Sequence, residues 1–304
     1  SEPAVPPSGD SEREALVGDI AALAPTLQKF DGGQQLGALL KIISRARALG
    51  SEGAGVLKEF ASQLRQNRAF DDLYVLTSEM RSGGMADLDV KRWEIQALIE
   101  LGVYETALDL TRPLMAAGPK TSAGQDGYSA LGRIYKQMYM DAAAGKSREE
   151  PETMALYLQR AFSAYMHVWQ FEKTESTAYY GVNAVAIACR AIADQITPDD
   201  PGARALADEV LAVLANVAKP TVWTHSTRGE ALIALGRFDE ATRSYGQFAF
   251  SPDVSLFQLN SSLRQLEEVW MLKGEEPVKG GPVRLLKAAL LSKLSGGPAG
   301  AGPS

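Results

Sequence analysis

Apolar residues recur at three- and four-residue intervals along almost the whole chain, the spacing that lines one face of an α-helix. Gly, Pro, Asp and Asn interrupt this period at intervals, and no stretch keeps the strict alternation of a half-buried strand. The pattern predicts an all-α chain of about seven helical hairpins, over 12–49, 53–82, 87–117, 124–170, 175–217, 221–248 and 253–294. Residues 11–294 read as one solenoid, with a disordered tail at 1–10 and a flexible Gly/Pro tail at 295–304.

Three turns repeat one signature: Arg68-Ala69-Phe70-Asp71-Asp72-Leu73, Gly102-Val103-Tyr104-Glu105-Thr106-Ala107 and Gly236-Arg237-Phe238-Asp239-Glu240-Ala241. In each, a glycine or its substitute ends one helix and an aromatic residue opens the next. The small Ala107 or Ala241, three residues later, lets two helices approach closely. Phe70 and Tyr104 lie 34 positions apart, the tetratricopeptide period. Tyr104 and Phe238 are 134 apart, close to four periods, yet only two hairpins fall between them, so those two are expected to be longer. The expected fold is therefore a tetratricopeptide-like superhelix, because an isolated hairpin leaves its apolar face uncovered and must stack on a neighbour. The middle repeat shows the stretching: Tyr128, Leu131, Gly132 and Tyr135 have first-helix spacing, and a polar connection from Asp141 to Glu150 precedes a partner helix expected to begin at Met154. Pro119 and Pro252 fall where repeats end. The last helix, Val283 to Leu294, reads as the cap of the solenoid or as a segment that docks on a partner.

Composition narrows the function. Apolar residues make up 45% and charged residues 22%, a globular balance. The net charge of -6 argues against a nucleic-acid binder, since phosphate neutralisation requires clustered Lys and Arg, although a local groove can still be basic. A single cysteine, Cys189 in an apolar run, excludes an internal disulfide framework and a multi-cysteine zinc site, and it reads as a core residue. No window has the apolar length of a bilayer span, and the Pro/Ser-rich start lacks a signal-peptide apolar region, so a cytoplasmic location is expected.

In a tetratricopeptide superhelix the first helix of each pair lines the concave groove, and three consecutive first helices carry candidate ligand-binding residues. Arg133 and Lys136 share one helical face, Tyr180 and Asn183 share a face of the next first helix, and Trp223 with His225 opens the one after. Cations for an anionic group, an amide for orientation and a ring for stacking are what a nucleotide or an acidic peptide requires. A structural reading stands beside this: Arg133 pairs with an acid, Tyr135 and Tyr180 fill the core, and Asn183 bridges repeats. Trp223 and His225, two apart, do not share a face. Catalysis finds no support. His167 and His225 lie on different repeats without metal-ligand spacing, His167 reads as a hydrogen-bonded packing residue, and neither histidine pairs with Cys189 at a readable distance in sequence. Glu149-Glu150 and Asp199-Asp200 read as solvated helix-start charges, and the Gly pairs at 32–33, 83–84 and 280–281 lack the P-loop Lys and Ser/Thr. No metal site and no cofactor are expected.

Leu131-Gly132-Arg133-Ile134-Tyr135-Lys136, then Tyr157 to Phe162, then Tyr180-Gly181-Val182-Asn183-Ala184 resemble, in this order, the TRAFs-binding domain. That is the tetratricopeptide region of the apoptosis signal-regulating kinases, also found in bacterial proteins. Its GRIYKD run ends here in Gln137, and its WYRKAF-like helix has Tyr157-Leu158 where Trp-Tyr stands. Val222-Trp223, Ala231 to Ala241 and Ser261 to Gln265 extend the resemblance, which covers about Asp72 to Trp270. It implies a non-enzymatic regulatory scaffold that accompanies a protease-like or kinase-like effector, in bacteria within a defence or signalling system; the kinase motifs themselves do not occur in this chain. The leading expectation is a scaffold that binds an effector protein through the concave groove or the terminal helix; a sensor of a small anionic nucleotide-type ligand in the groove is the alternative, and a structural spacer the third.

Overall fold

In the computed structural model, which describes residues 9–25, 32–197 and 201–295, every regular element among the described residues is helical. Contacts divide the chain into two compact units, one up to Leu110 and one from Thr111. The first holds α1 (Gly9–Leu23), α2 (Gly32–Ala48), α3 (Ser51–Gln66), α4 (Phe70–Ser82), α5 (Leu88–Glu100) and the start of α6 (Tyr104–Met115). The second continues with α7 (Ser122–Ala143), α8 (Pro151–Phe171), α9 (Ala178–Ala193), α10 (Pro201–Ala215), α11 (Val222–Ala234) and α12 (Phe238–Ala249). It ends with α13 (Leu256–Arg264), a π-helical turn at Gln265–Val269 and α14 (Gly281–Leu294). Taken in pairs, these elements reproduce the seven expected hairpins. The expected tails lie outside the described residues except Gly9 and Asp10, which begin α1, and Ser295. No helix among the described residues is long and apolar enough to cross a membrane.

The signature turns behave alike. Phe70, Tyr104 and Phe238 are the first residues of α4, α6 and α12. Before each, one residue turns left-handed: Arg68 at φ 60°, Gly102 at 74° and Gly236 at 73°. The residue after it donates back to the preceding helix at 2.9 Å (Ala69 to Leu64, Val103 to Leu98, Arg237 to Leu232), the closing bond of a Schellman turn. Ala107, Ala241 and Leu73 are fully buried three residues past the aromatics.

Glycines set the hairpin spacing in the second unit. A methyl group added at Gly132 of α7 would lie 2.6 Å from Tyr165 Cζ of α8, and one at Gly229 of α11 would lie 2.5 Å from Tyr245 Cε2 of α12. Gly181 of α9 meets Val210 and Trp169 in the same way. Tyr165, Trp169 and Tyr245 are completely buried, so each glycine is the gap that a core ring fills. The connection in the middle repeat is shorter than expected, because α7 continues to Ala143 and Pro151 starts α8, where proline's missing N–H costs nothing. His167 is also corrected: it is exposed and lies against the Tyr128 ring at 4.3 Å instead of being hydrogen-bonded within the core. Cys189 is half-buried against the core.

Candidate functional site

Five residues were expected at the groove, and the structure brings two of them into direct contact. Lys136 Nζ, on α7, donates to Asn183 Oδ1, on α9, at 3.2 Å. Asn183 is 3% exposed and is fixed by its own Nδ2, which donates to the Tyr179 carbonyl at 2.9 Å. Arg133 sits one turn before Lys136, and its charge is among the influences on Lys136. Tyr180 is a core residue, 7% exposed, rather than an open stacking ring; the adjacent Tyr179 is 37% exposed and meets it edge-on at 5.5 Å. Trp223 is 45% exposed and packs against Phe248 of α12 at 6.2 Å. It lies about 10 Å along α11 from Glu230, the residue through which that helix enters the cluster.

The wall that pattern reasoning missed comes from the chain's end. Lys136 Nζ also donates to Gln265 Oε1 at 2.9 Å, and Gln265 opens the π-helical turn. The same amide donates through Nε2 to Glu230 Oε2 at 3.0 Å, an oxygen that also accepts from Trp270 Nε1 at 2.8 Å. Arg264 Nη2 donates to Gln137 Oε1 on α7 at 2.9 Å, and Arg190 of α9 donates to the Glu268 carbonyl. Arg190 Nε pairs with Asp194 at 2.5 Å, and the Tyr139 hydroxyl donates to the same carboxylate. Four elements thus meet in one polar cluster: α7, α9, α11 and the α13–π-helix segment. A π-turn within a helix is uncommon and recurs at functional sites. Only its long-range partners, up to 129 residues away in sequence, reveal its role, which is why local periodicity could not.

The electrostatics are tense. Burial lowers the Lys136 ammonium to about 8, the charges of Arg133 and Arg264 push the same way, and Glu230 and Glu268 oppose them. Lys136 as a whole is half-buried, and its ammonium is hydrogen-bonded to two side-chain amide oxygens. Glu230 is raised by burial, against the hydrogen bonds from Trp270 and Gln265 and the charge of Lys136. A separate open cavity of about 940 Å³, lined by residues such as Leu158, Phe162, Ile187 and Ile192, is mainly apolar and lacks this chemistry.

Helical hairpins closed by left-handed turns, with an aromatic opening each second helix and a buried small or aliphatic residue three positions on, define a tetratricopeptide-type domain. This fold generally serves protein interaction or sensing, and domains of this kind are typically non-catalytic. Residues 69–190 match the family model described as Tetratricopeptide Repeats-Sensor, a span that contains Arg133, Lys136 and Asn183 but ends before Glu230 and Gln265. Among solved structures, the chain is similar to a thermophilic TPR protein of Thermus thermophilus, at 18% identity and TM-score 0.48, covering 70% of this chain and 98% of that one. It is also similar to a tetratricopeptide repeat protein of Parabacteroides merdae, at 10% identity and TM-score 0.43, covering 91% of this chain and 99% of that one. No curated protein matches.

Proposed function

We propose that the protein is a non-enzymatic regulatory module that senses a small anionic ligand of the nucleotide class through the cluster around Lys136 and relays that state to a protein partner. One observation carries the reading: Lys136 Nζ, hydrogen-bonded to the amide oxygens of Asn183 and Gln265, stands close enough to Arg133 and Arg264 to feel both charges, a set of cations that an anion can join. The word Sensor in the matched family's description supports it, as does the resemblance to the TRAFs-binding domain, whose role is regulatory. Arg133 and Lys136 hold the anionic group, Asn183 orients it, and the half-exposed Tyr179 offers a ring face. Calorimetry with nucleoside mono-, di- and triphosphates tests the reading. Binding by at least one, lost in Arg133→Ala and Lys136→Ala at unchanged helicity, is the expected result; no heat from any nucleotide would remove it.

The effector-scaffold reading is favoured by one separate feature. Helix α14 buries Val283, Leu286 and Leu290 on the unit it caps but leaves Leu291 and Leu294 about 70% exposed. These two leucines are the face that a protein partner, of the protease-like or kinase-like kind, would cover. Leu291→Glu with Leu294→Glu should abolish co-purification of such an effector without lowering the melting temperature; retained co-purification would rule this face out.

A further inference from the structure

Gln265 is bonded in an unusual way. Its side-chain oxygen accepts from Lys136 and its side-chain nitrogen donates to Glu230, so one planar amide bridges a cation on α7 and a carboxylate on α11. Lys136 and Glu230 also feel each other's charge, so the amide stands between a cation and a carboxylate. An acceptor beside an N–H donor on one planar frame is the chemistry of a nucleobase edge.

We infer that Gln265 is a tethered occupant of the ligand site, standing where the acceptor–donor edge of a nucleobase binds between Lys136 and Glu230. This inference rests on the anion-site reading and adds the base as the second recognised group. The phosphate takes the Arg133 side, the base edge replaces the amide, and Gln265 swings away.

Leu266 and Val269 anchor the segment that carries Gln265 in the core, but Gln265 itself is only half-buried and its side chain can leave without them. The segment is a π-helical turn, and the chain leaves it through Met271, a non-glycine residue at φ 52°, a left-handed conformation that persists only while its surroundings hold it. The contacts of the turn with α7, α9 and α11 include hydrogen bonds from Arg264, Arg190 and Trp270, which can be exchanged for bonds to a ligand or to water. Trp270 shares its acceptor oxygen on Glu230 with Gln265, so displacement of the amide changes the surroundings of an indole. A tethered competitor lowers the apparent affinity by the fraction of time it occupies the site. Removing it should therefore tighten binding, the reverse of what loss of a ligand contact would do.

Calorimetry on the full chain with AMP, CMP, GMP, UMP and ribose 5-phosphate tests this in the wild type, Gln265→Ala, Gln265→Ser and Lys136→Ala. Gln265→Ala and Gln265→Ser should bind at least one nucleotide about tenfold more tightly than the wild type, with ribose 5-phosphate unchanged because it has no base. In the wild type, that nucleotide but not ribose 5-phosphate should shift the tryptophan emission, and Trp270→Phe should remove the shift. If the Gln265 variants bind no more tightly while Lys136→Ala loses binding, the tethered occupant is refuted and the anion site stands. An equal gain for ribose 5-phosphate would overturn the base-edge assignment. Failure of every nucleotide on both wild type and Gln265 variants would take the anion site with it.

Discussion

Lys136 should make the protein more stable as the solution becomes alkaline. Its ammonium ionises near 8 in the folded chain against an ordinary value of 10.5, so at neutral pH folding carries the penalty of keeping a desolvated cation charged. Above about 8 the folded state releases this proton while the unfolded chain still holds it. The unfolded state then binds more protons, and stability rises with pH until both forms are neutral. The gap of about 2.5 units corresponds to roughly 3 kcal/mol in full, of which about 2 kcal/mol is recovered between pH 7 and pH 9.5. Tyr139, Tyr157, Tyr165 and Tyr245 act oppositely, since all four are raised and the unfolded chain ionises its tyrosines first. The measurement is therefore a difference. Urea unfolding followed by circular dichroism, at pH 7 and pH 9.5, compares the wild type with Lys136→Met, in which the tyrosine contribution is unchanged. The wild type should gain about 2 kcal/mol relative to the variant across this interval. A relative gain below about 0.5 kcal/mol would mean that the ammonium is hydrated and that the repulsion from Arg133 and Arg264 is screened, removing the main electrostatic argument for an anion site. For a bound anion the same linkage reverses, because the anion needs Lys136 charged: affinity should weaken as pH climbs past 8.

Two substitutions test the packing on which the site depends. Gly132→Ala should destabilise by roughly 1–2 kcal/mol, because a methyl group 2.6 Å from a fully buried Tyr165 ring outweighs the helix-propensity gain of about 1 kcal/mol; Gly246→Ala, whose nearest neighbour would be 3.8 Å away, should keep that gain and raise the melting temperature in calorimetry. In the first unit, Arg81 Nε donates to both carboxylate oxygens of Glu94, at 2.9 and 3.1 Å, and Glu94 is 1% exposed. Arg81→Ala strands that charge and should cost about 3 kcal/mol in urea unfolding, whereas Glu94→Gln, which stays neutral, should cost clearly less.

How much of this was legible depends on the range of the interaction that fixes each feature. Hairpin starts were readable because a left-handed turn, an aromatic and a small residue are a local requirement met within six positions. Even Arg68, standing where Gly102 and Gly236 stand elsewhere, did not hide the turn at Phe70. Half of the polar cluster was readable for a related reason: Lys136 and Asn183 each occupy a defined position on a first helix, and stacking of consecutive repeats brings such positions together. Spacing alone cannot distinguish Tyr180 from Tyr179, since both neighbour Asn183's face; the first is buried, and the second, edge-on to Tyr165, is part exposed. Gln265, Glu230 and Trp270 were not readable at all as one group, since no period relates α7, α11 and a π-turn separated by more than a hundred residues. The bonds that complete the site come from a segment outside the regular repeat. A change at Gln265 should therefore alter the polar cluster without touching the repeat signature, so the hairpins alone do not specify what the cluster binds.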